Sequence, residues 1–417
     1  MQGSDICDYN KCTGCSACIN ICPRKCIRLV EDEYGETHPY VNQGQCINCN
    51  LCKVTCPNNN PPKYYYPMHC YAAWITDAIE LRKCASGGIG TTLSRFVIAE
   101  GGIVFGSRYD QDLNPIITWT DNGNELDCFK GSRYVQSQVA NDTYLKVRKF
   151  LNDGRLVLFI GTPCQIAGLL SFLHRDYDRL ITCDLICHGV SPSAYLKQEV
   201  SFLSQSYCLD KISDIRFRGN DGNDFRMTLW DEANQRLFPR NNIIQRLTLT
   251  DYKEDYYLKA FLQGISLREN CYDCNYAKPS RISDITIGDF IGLGKKEEFG
   301  YESNCNISSV TTNTEKGLLF LRKVAERTNT LKLIERKYSE RLEYKPSLIE
   351  PFQKSKFCHS FREDYKKNNF PIAIRKTLFK NMKAEYISIL KRRYSFKGTI
   401  WLIYSMLKSL LKSTRHE

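Results

Sequence analysis

Cys12, Cys15, Cys18 and Cys22, followed by Pro23, form a Cys-x-x-Cys-x-x-Cys-x-x-x-Cys-Pro run, and Cys46, Cys49, Cys52 and Cys56, followed by Pro57, repeat it. Thiolates at this spacing suit iron–sulfur clusters. Two-residue gaps let successive sulfurs reach one cubane from a tight turn, and the fourth cysteine of each run serves the other cluster. The pattern assigns Cys12, Cys15, Cys18 and Cys56 to one 4Fe-4S cluster, and Cys46, Cys49, Cys52 and Cys22 to a second. Structural zinc also uses Cys-x-x-Cys pairs, but it needs only four ligands per site and gives no reason for a triplet or a trailing proline. Gly14, Ser16 and Ala17 leave room for backbone N–H groups to point at sulfur. Cys7 and Cys26 fall outside the pattern and read as packing or surface thiols.

Elements must hold these residues in place, and length bounds how many. A chain of 417 residues exceeds one ordinary hydrophobic core, so two or three units are expected. Residues 1–62 read as an α+β ferredoxin-like module carrying both clusters. From about Met68, apolar strand-like runs alternate with amphipathic helical ones, which predicts an α/β domain with a mixed sheet over 68–370. Strands are expected at Ile103–Tyr109, Leu156–Ile160, Leu180–Ile186, Ile215–Arg218 and Ile285–Asp289. Helices are expected at Ile89–Glu100, Gln165–His174, Tyr252–Leu262 and Glu315–Arg327.

Ten of the 21 cysteines lie in the first 56 residues at metal spacings, which points to a reducing compartment, the cytoplasm. The start, MQGSDICDYNKC, lacks the apolar stretch of a signal peptide, and no later run reaches the length of a membrane span. The net charge of +12 is concentrated at the end: Pro371–Glu417 holds eleven Lys and Arg against two acids. The remaining body is nearly balanced and carries no nucleic-acid footprint. Residues 371–417 read as a basic amphipathic helical tail, in which Trp401, Leu402, Tyr404, Leu407 and Leu411 recur at helical spacing. Such a tail suits either peripheral contact with anionic lipid at the inner face of the membrane or docking on protein.

Short motifs sit at the expected strand ends: Ser86-Gly87-Gly88, Gly131-Ser132-Arg133-Tyr134, Gly161-Thr162-Pro163-Cys164-Gln165, Asp184-Leu185-Ile186-Cys187-His188-Gly189, Cys271-Tyr272-Asp273-Cys274 and Ser283 to Phe290. In this order they resemble the beta-subunit family of coenzyme F420 (deazaflavin) hydrogenases and dehydrogenases over about residues 70–320, with the ferredoxin module in front. The resemblance implies an FAD held by the α/β domain and a third 4Fe-4S cluster beside it, ligated by Cys164, Cys187, Cys271 and Cys274. Cys164 follows one strand and Cys187 ends another, and parallel strands set such residues along one rim. Read without the resemblance, the four could be buried thiols or a zinc site.

A flavin diphosphate needs backbone N–H groups unobstructed by side chains, commonly at a helix start. Ser86, Gly87 and Gly88 before one helix, and Gly161 and Thr162 before another, meet that need. Arg133, and also Lys130 and Arg281, are candidates to neutralise phosphate. His188 could donate a proton or be structural, and Asp284 and Asp289 could hold a ribityl hydroxyl or cap a turn. One departure from the family is Ile291, where a tryptophan is usual.

The expected function is an iron–sulfur flavoprotein oxidoreductase that moves electrons between clusters and FAD and reduces or oxidises a small molecule or redox coenzyme, a deazaflavin or a polysaccharide-related metabolite. The alternative is a non-catalytic electron-transfer subunit serving a redox partner protein.

Overall fold

The computed structural model describes residues 6–218, 225–238, 255–301, 307–344 and 346–380. At the N-terminal end an antiparallel hairpin, β1 (Ile27–Glu31) and β2 (Thr37–Val41), backs two cysteine-bearing loops. Each loop runs into a short helix, Ala17–Ile21 in the first and Leu51–Val54 in the second.

The body is built on strands β3 (His69–Ile75), β4 (Ile103–Tyr109), β5 (Pro115–Thr120), β6 (Gln138–Val139), β7 (Val157–Gly161) and β8 (Leu180–Leu185). Strands β9 (Asp214–Arg218), β10 (Phe225–Trp230) and β11 (Arg236–Phe238) make a small antiparallel sheet of their own. The run expected at Ile215–Arg218 is therefore a strand, but it pairs with the nearby Phe225–Trp230 and not with the main sheet. Strands β12 (Ile285–Asp289), β13 (Ser308–Thr312) and β14 (Leu331–Arg336) return to the main sheet, whose order is β14-β3-β13-β12-β8-β7-β4-β5-β6. This is the expected mixed sheet: β4, β7, β8 and β12 run parallel, and antiparallel strands flank them.

The parallel centre is covered on both faces, which is why β7 and β8 read as nearly continuous apolar runs. Alternate residues go to opposite faces. Val104, Leu158 and Ile181 pack under the helices Ile89–Ala99 and Glu315–Arg327, while Phe105, Val157 and Phe159 pack under Thr143–Asn152 and Pro163–Leu173. Cys15 and Ala17 of the N-terminal module are buried in that second cluster, so one cysteine loop shares a core with the body.

The helix Pro163–Leu173 starts where β7 ends, because Thr162 and Gln165 form a capping box and Pro163 supplies a fixed φ in the first turn. The helix expected from Tyr252 is described over Tyr256–Leu262, with 252–254 outside the described residues. Residues 370–380 are helical, and Phe370, Ala373, Ile374 and Leu378 are fully buried in the body's core, with Arg375 paired to Glu199 through two hydrogen bonds. The beginning of the basic tail is thus packed body, since its apolar positions match the helix Ser193–Tyr207 beneath it. The rest of the tail, 381–417, and its amphipathic face lie outside the described residues. Among the described residues, no helix is long and apolar enough to cross a membrane.

Between β8 and the segment entering β12, Arg281 donates to Asp184 at 2.8 Å, with both side chains almost fully buried. Arg281 also donates to the carbonyl of Tyr276 at 3.2 Å. Removing one member of such a pair strands a buried charge. Arg281→Met should therefore lose about 3–5 kcal/mol of stability. The double variant Arg281→Met, Asp184→Leu should recover most of the loss, measured by chemical denaturation of both proteins.

Candidate functional site

The two cysteine loops share one backbone device. Gly14 and Ser16 in the first, and Asn48 and Asn50 in the second, all take left-handed φ between 55° and 64°. These positions follow or precede the middle cysteine of each triplet, and alternating hands turn successive N–H groups toward one concavity. The result is two hollows. One is lined by Cys12, Cys15, Cys18 and Cys56, the other by Cys22, Cys46, Cys49 and Cys52. The fold therefore crosses the fourth cysteine of each run into the other loop's hollow, as the spacing predicts.

Among the described residues, no group of three or more His, Cys, Asp or Glu converges closely enough to hold a single metal ion. A tetrahedral zinc site would set sulfurs about 3.8 Å apart, from a Zn–S distance of about 2.3 Å. The thiols instead surround a space, as a cubane with one thiolate per iron requires. The donor set and its arrangement fit a 4Fe-4S cluster in each hollow.

Each hollow also holds a fifth thiol that spacing alone assigned to packing. Cys7 lines the first and Cys26 the second. Cys26 Sγ lies 3.4 Å from Cys22 Sγ. Cys7 hydrogen-bonds to Cys12 and Cys56, which holds Cys12 well below the usual thiol range and Cys56 at about 7, while Cys7 itself is pushed up by those same contacts. Burial drives Cys15 up to about 12 and Cys26 up to about 11. No linear motif marks Cys7 or Cys26. Only the hairpin and loop geometry brings them in.

Cys164, Cys187, Cys271 and Cys274 are brought together by the fold. Burial dominates the raised pKa of each, pushing Cys164 up to about 11 and Cys187 up to about 12, and in Cys164, Cys187 and Cys271 charge on others of the set raises it further. Backbone N–H groups already aim at the sulfurs, including Gly189 to Cys187 at 3.4 Å, and Thr162 Oγ1 lies 3.2 Å from Cys164 Sγ.

The seam between module and body runs between this group and the first hollow. Tyr144 Oη lies 2.9 Å from the carbonyls of both Cys15 and Gln165, and Asn20 links Ala140 O and Tyr144 N. A Cβ on Gly168 would stand 3.0 Å from Cys15 Sγ, so the absence of a side chain there lets the loop close onto the helix. Gly168 is four residues beyond Cys164, on the same helical face. Arg268, fully buried, donates to Cys12 O at 3.2 Å, Thr37 O at 3.2 Å, Gln136 Oε1 at 2.6 Å and Asn270 Oδ1 at 3.1 Å. Tyr144, Asn20, Gln136 and Arg268 carry no motif and are recognisable only from these contacts.

The flavin candidates gather at the carboxyl rim of the parallel strands, where open α/β sheets bind ligands. Gly161 ends β7, and Arg133 lies over the ring of Tyr109 at the end of β4, 5.0 Å from its centroid. Ser86, Gly87 and Gly88 sit against Ile75 and Ser308, beside Asp289. Gly88 has φ +83°, which glycine alone adopts without strain, and it caps the helix Ile89–Ala99. Gly87 donates its N–H to Ser308 Oγ at 2.9 Å, and a Cβ there would stand 2.3 Å from Ala73 O. Thr162 N–H is likewise taken, by Gln165 Oε1 at 2.9 Å. The Arg133 Nη atoms donate to the carbonyls of Cys128 and Lys130, and burial lowers the pKa of its guanidinium. Arg133 Nε and Tyr109 Oη are buried at this rim without a hydrogen-bond partner, which fits a polar group such as a flavin.

Several candidates have other partners. Lys130 is locked between Glu80 and Asp127, and Arg281 is committed to Asp184, so neither is free for phosphate. Asp284 lies at the opposite end of β12 from the rim and accepts from Thr182 N at 2.9 Å and Thr314 Oγ1 at 2.7 Å, a structural clamp. Asp289 does face the rim, where Arg218 Nη1 contacts both its oxygens at 2.8 and 3.0 Å. His188 packs against the rings of Phe261 and Phe352.

Arg268→Met would orphan buried carbonyls on both sides of the seam. At about 1–3 kcal/mol for each unsatisfied group, the variant should lose at least about 3 kcal/mol of stability. Arg268→Lys keeps charge without the planar fork and should recover only part of that loss in the same thermal or denaturant measurement.

Comparison with known proteins agrees with this geometry. Residues 11–60 match the model of a 4Fe-4S dicluster domain, and residues 154–337 match that of the C terminus of the coenzyme F420 hydrogenase/dehydrogenase beta subunit. An uncharacterized ferredoxin of Methanocaldococcus jannaschii is 37% identical over 54 residues, 13% of this chain and 69% of that protein. A 7Fe ferredoxin of Hydrogenibacillus schlegelii is 36% identical over 42 residues, 10% of this chain and 47% of that protein. Among solved structures, a chain of the F420-reducing [NiFe] hydrogenase complex from Methanosarcina barkeri aligns with a TM-score of 0.44 and 17% identity, over 77% of this chain and 91% of that one. The chain is an iron–sulfur protein of the coenzyme F420 hydrogenase/dehydrogenase beta-subunit family, with a 4Fe-4S dicluster domain at its N-terminal end.

Proposed function

We propose that this chain is an iron–sulfur flavoprotein that carries electrons through two ferredoxin-type clusters and a third cluster to FAD, at which a small molecule is reduced or oxidised. The observation that carries this reading is the seam: Cys15 Sγ lies against Gly168, on the helix that bears Cys164, so the first hollow and the third cysteine group share a wall. A carrier that merely stored electrons would not need its buried end fused to a second thiol set.

When bound, FAD would convert single electrons from clusters into the pairs that an organic substrate exchanges. The chain's own residues support that arrangement. Thr162 and Gln165 fix the turn that presents Cys164, Gly189 N–H steadies Cys187, and Arg133 and Tyr109 keep unpaired polar atoms at the rim. The substrate class is a deazaflavin coenzyme or a polysaccharide-related metabolite. Ile291 stands where the family has tryptophan and is 40% exposed, which leaves this flank of the rim less enclosed.

Anaerobic purification with iron, sulfide and released-flavin analysis tests the reading. About twelve irons per chain are expected, at four per cubane, with one FAD. Cys164→Ser and Cys274→Ser should each drop the count to about eight irons without disturbing the ferredoxin signal. About eight irons in the unaltered protein would overturn the third ligand set. Full iron without flavin would leave an electron-transfer subunit that serves a separate enzyme.

A further inference from the structure

The two hollows differ in what surrounds them. The first is closed in by the body: Cys12 and Cys15 are buried, and Gly168, Tyr144 and Arg268 pack behind them. The second faces solvent. Cys49 is exposed, and Arg24 and Lys53 line the mouth beside Cys46 and Cys52.

Three large apolar side chains stand out around that mouth. Ile47 is 59% exposed, Leu51 42% and Val54 58%. Leu51 and Val54 are three apart on one short helix and share a face. A patch of this kind marks an interaction surface more often than a scattered single residue does.

Charge around the patch has one sign. Arg24, Lys25, Arg28 and Lys53 are exposed, and neither Cys22–Val30 nor Val41–Lys63 contains any Asp or Glu. The module's acids are gathered elsewhere: Glu33 and Glu36, in the β1–β2 turn, pair with Lys366 and Arg362 of the body. An apolar centre ringed by uniform positive charge is complementary to an acidic protein surface.

We propose that the face around Cys46, Cys49 and Cys52 is the docking site of an acidic one-electron carrier protein, making the second hollow the port and the first the inward relay. The proposal rests on the cluster assignment above. In each encounter one electron crosses, so the carrier is oxidised by one electron as this chain is reduced by one, or the reverse, with no bond made or broken. Anionic lipid has a similar charge, but the patch encircles a thiol-lined hollow, and a lipid surface has no electron to exchange there.

The test is stopped-flow electron transfer between the full-length anaerobic protein and a small acidic two-cluster ferredoxin, across ionic strength. The rate should fall about tenfold or more between about 0.01 and 1 M salt, where the Debye length shrinks from about 30 to 3 Å. Arg24→Glu, Lys25→Glu should lower the low-salt rate about tenfold and flatten the salt dependence. Iron content and the spectrum after dithionite reduction, unchanged in this variant, separate lost docking from lost clusters. A rate indifferent to salt and to charge reversal overturns the docking site. Fewer than about eight irons in the unaltered protein overturns the cluster assignment instead. If charge reversal abolishes binding to phosphatidylserine vesicles and leaves the ferredoxin rate intact, the face is a lipid contact and the proposal falls.

Discussion

A guanidinium buried at the seam holds the molecule in one piece. Arg268 sits three residues before Cys271 and donates across to the carbonyl of Cys12, so one side chain ties the loop around the first hollow to the loop of the third cysteine group. A fully buried cation is tolerated only where its donors are met, and here carbonyl and amide oxygens from three segments meet them. The placement of both thiol groups follows from this: neither loop can move without leaving polar atoms unpaired in a dry interior.

The parallel centre of the sheet supplies the second constraint. Because β4, β7, β8 and β12 point the same way, Tyr109, Gly161, Leu185 and Asp289 all finish at one edge, and the chemistry-bearing residues follow directly after them. The helix Ile89–Ala99 starts at that same edge, and the stretch from Ser86 to Gly88 leads into it. The antiparallel strand β13 begins there too, which is how Ser308 comes to accept a hydrogen bond from Gly87.

Much of this was legible in the residues, and for a physical reason. Cluster ligation requires fixed spacings along the chain, so Cys12 to Cys22 and Cys46 to Cys56 announce themselves, and buried parallel strands require apolar runs such as Val157 to Ile160. What did not show were contacts between segments far apart in sequence. Cys7 and Cys26 enter the hollows only once the hairpin is folded, and Arg268, Tyr144 and Asn20 are ordinary residues until their partners arrive. Charge also misled at Lys130 and Arg281, because a basic residue beside a motif looks available in sequence, whereas Glu80 and Asp184 had already claimed them.

Gly168 gives the seam a consequence for how such chains can be rearranged. The module at the front looks like a cassette that could be exchanged for another ferredoxin at the linker near residue 62. Yet Cys15 is seated in a notch that exists because the facing helix lacks a side chain at one position. A borrowed module would have to match that notch, and a borrowed body would have to offer it. The portable unit is the pair of complementary surfaces, and the visible joint in the sequence is not where the molecule comes apart.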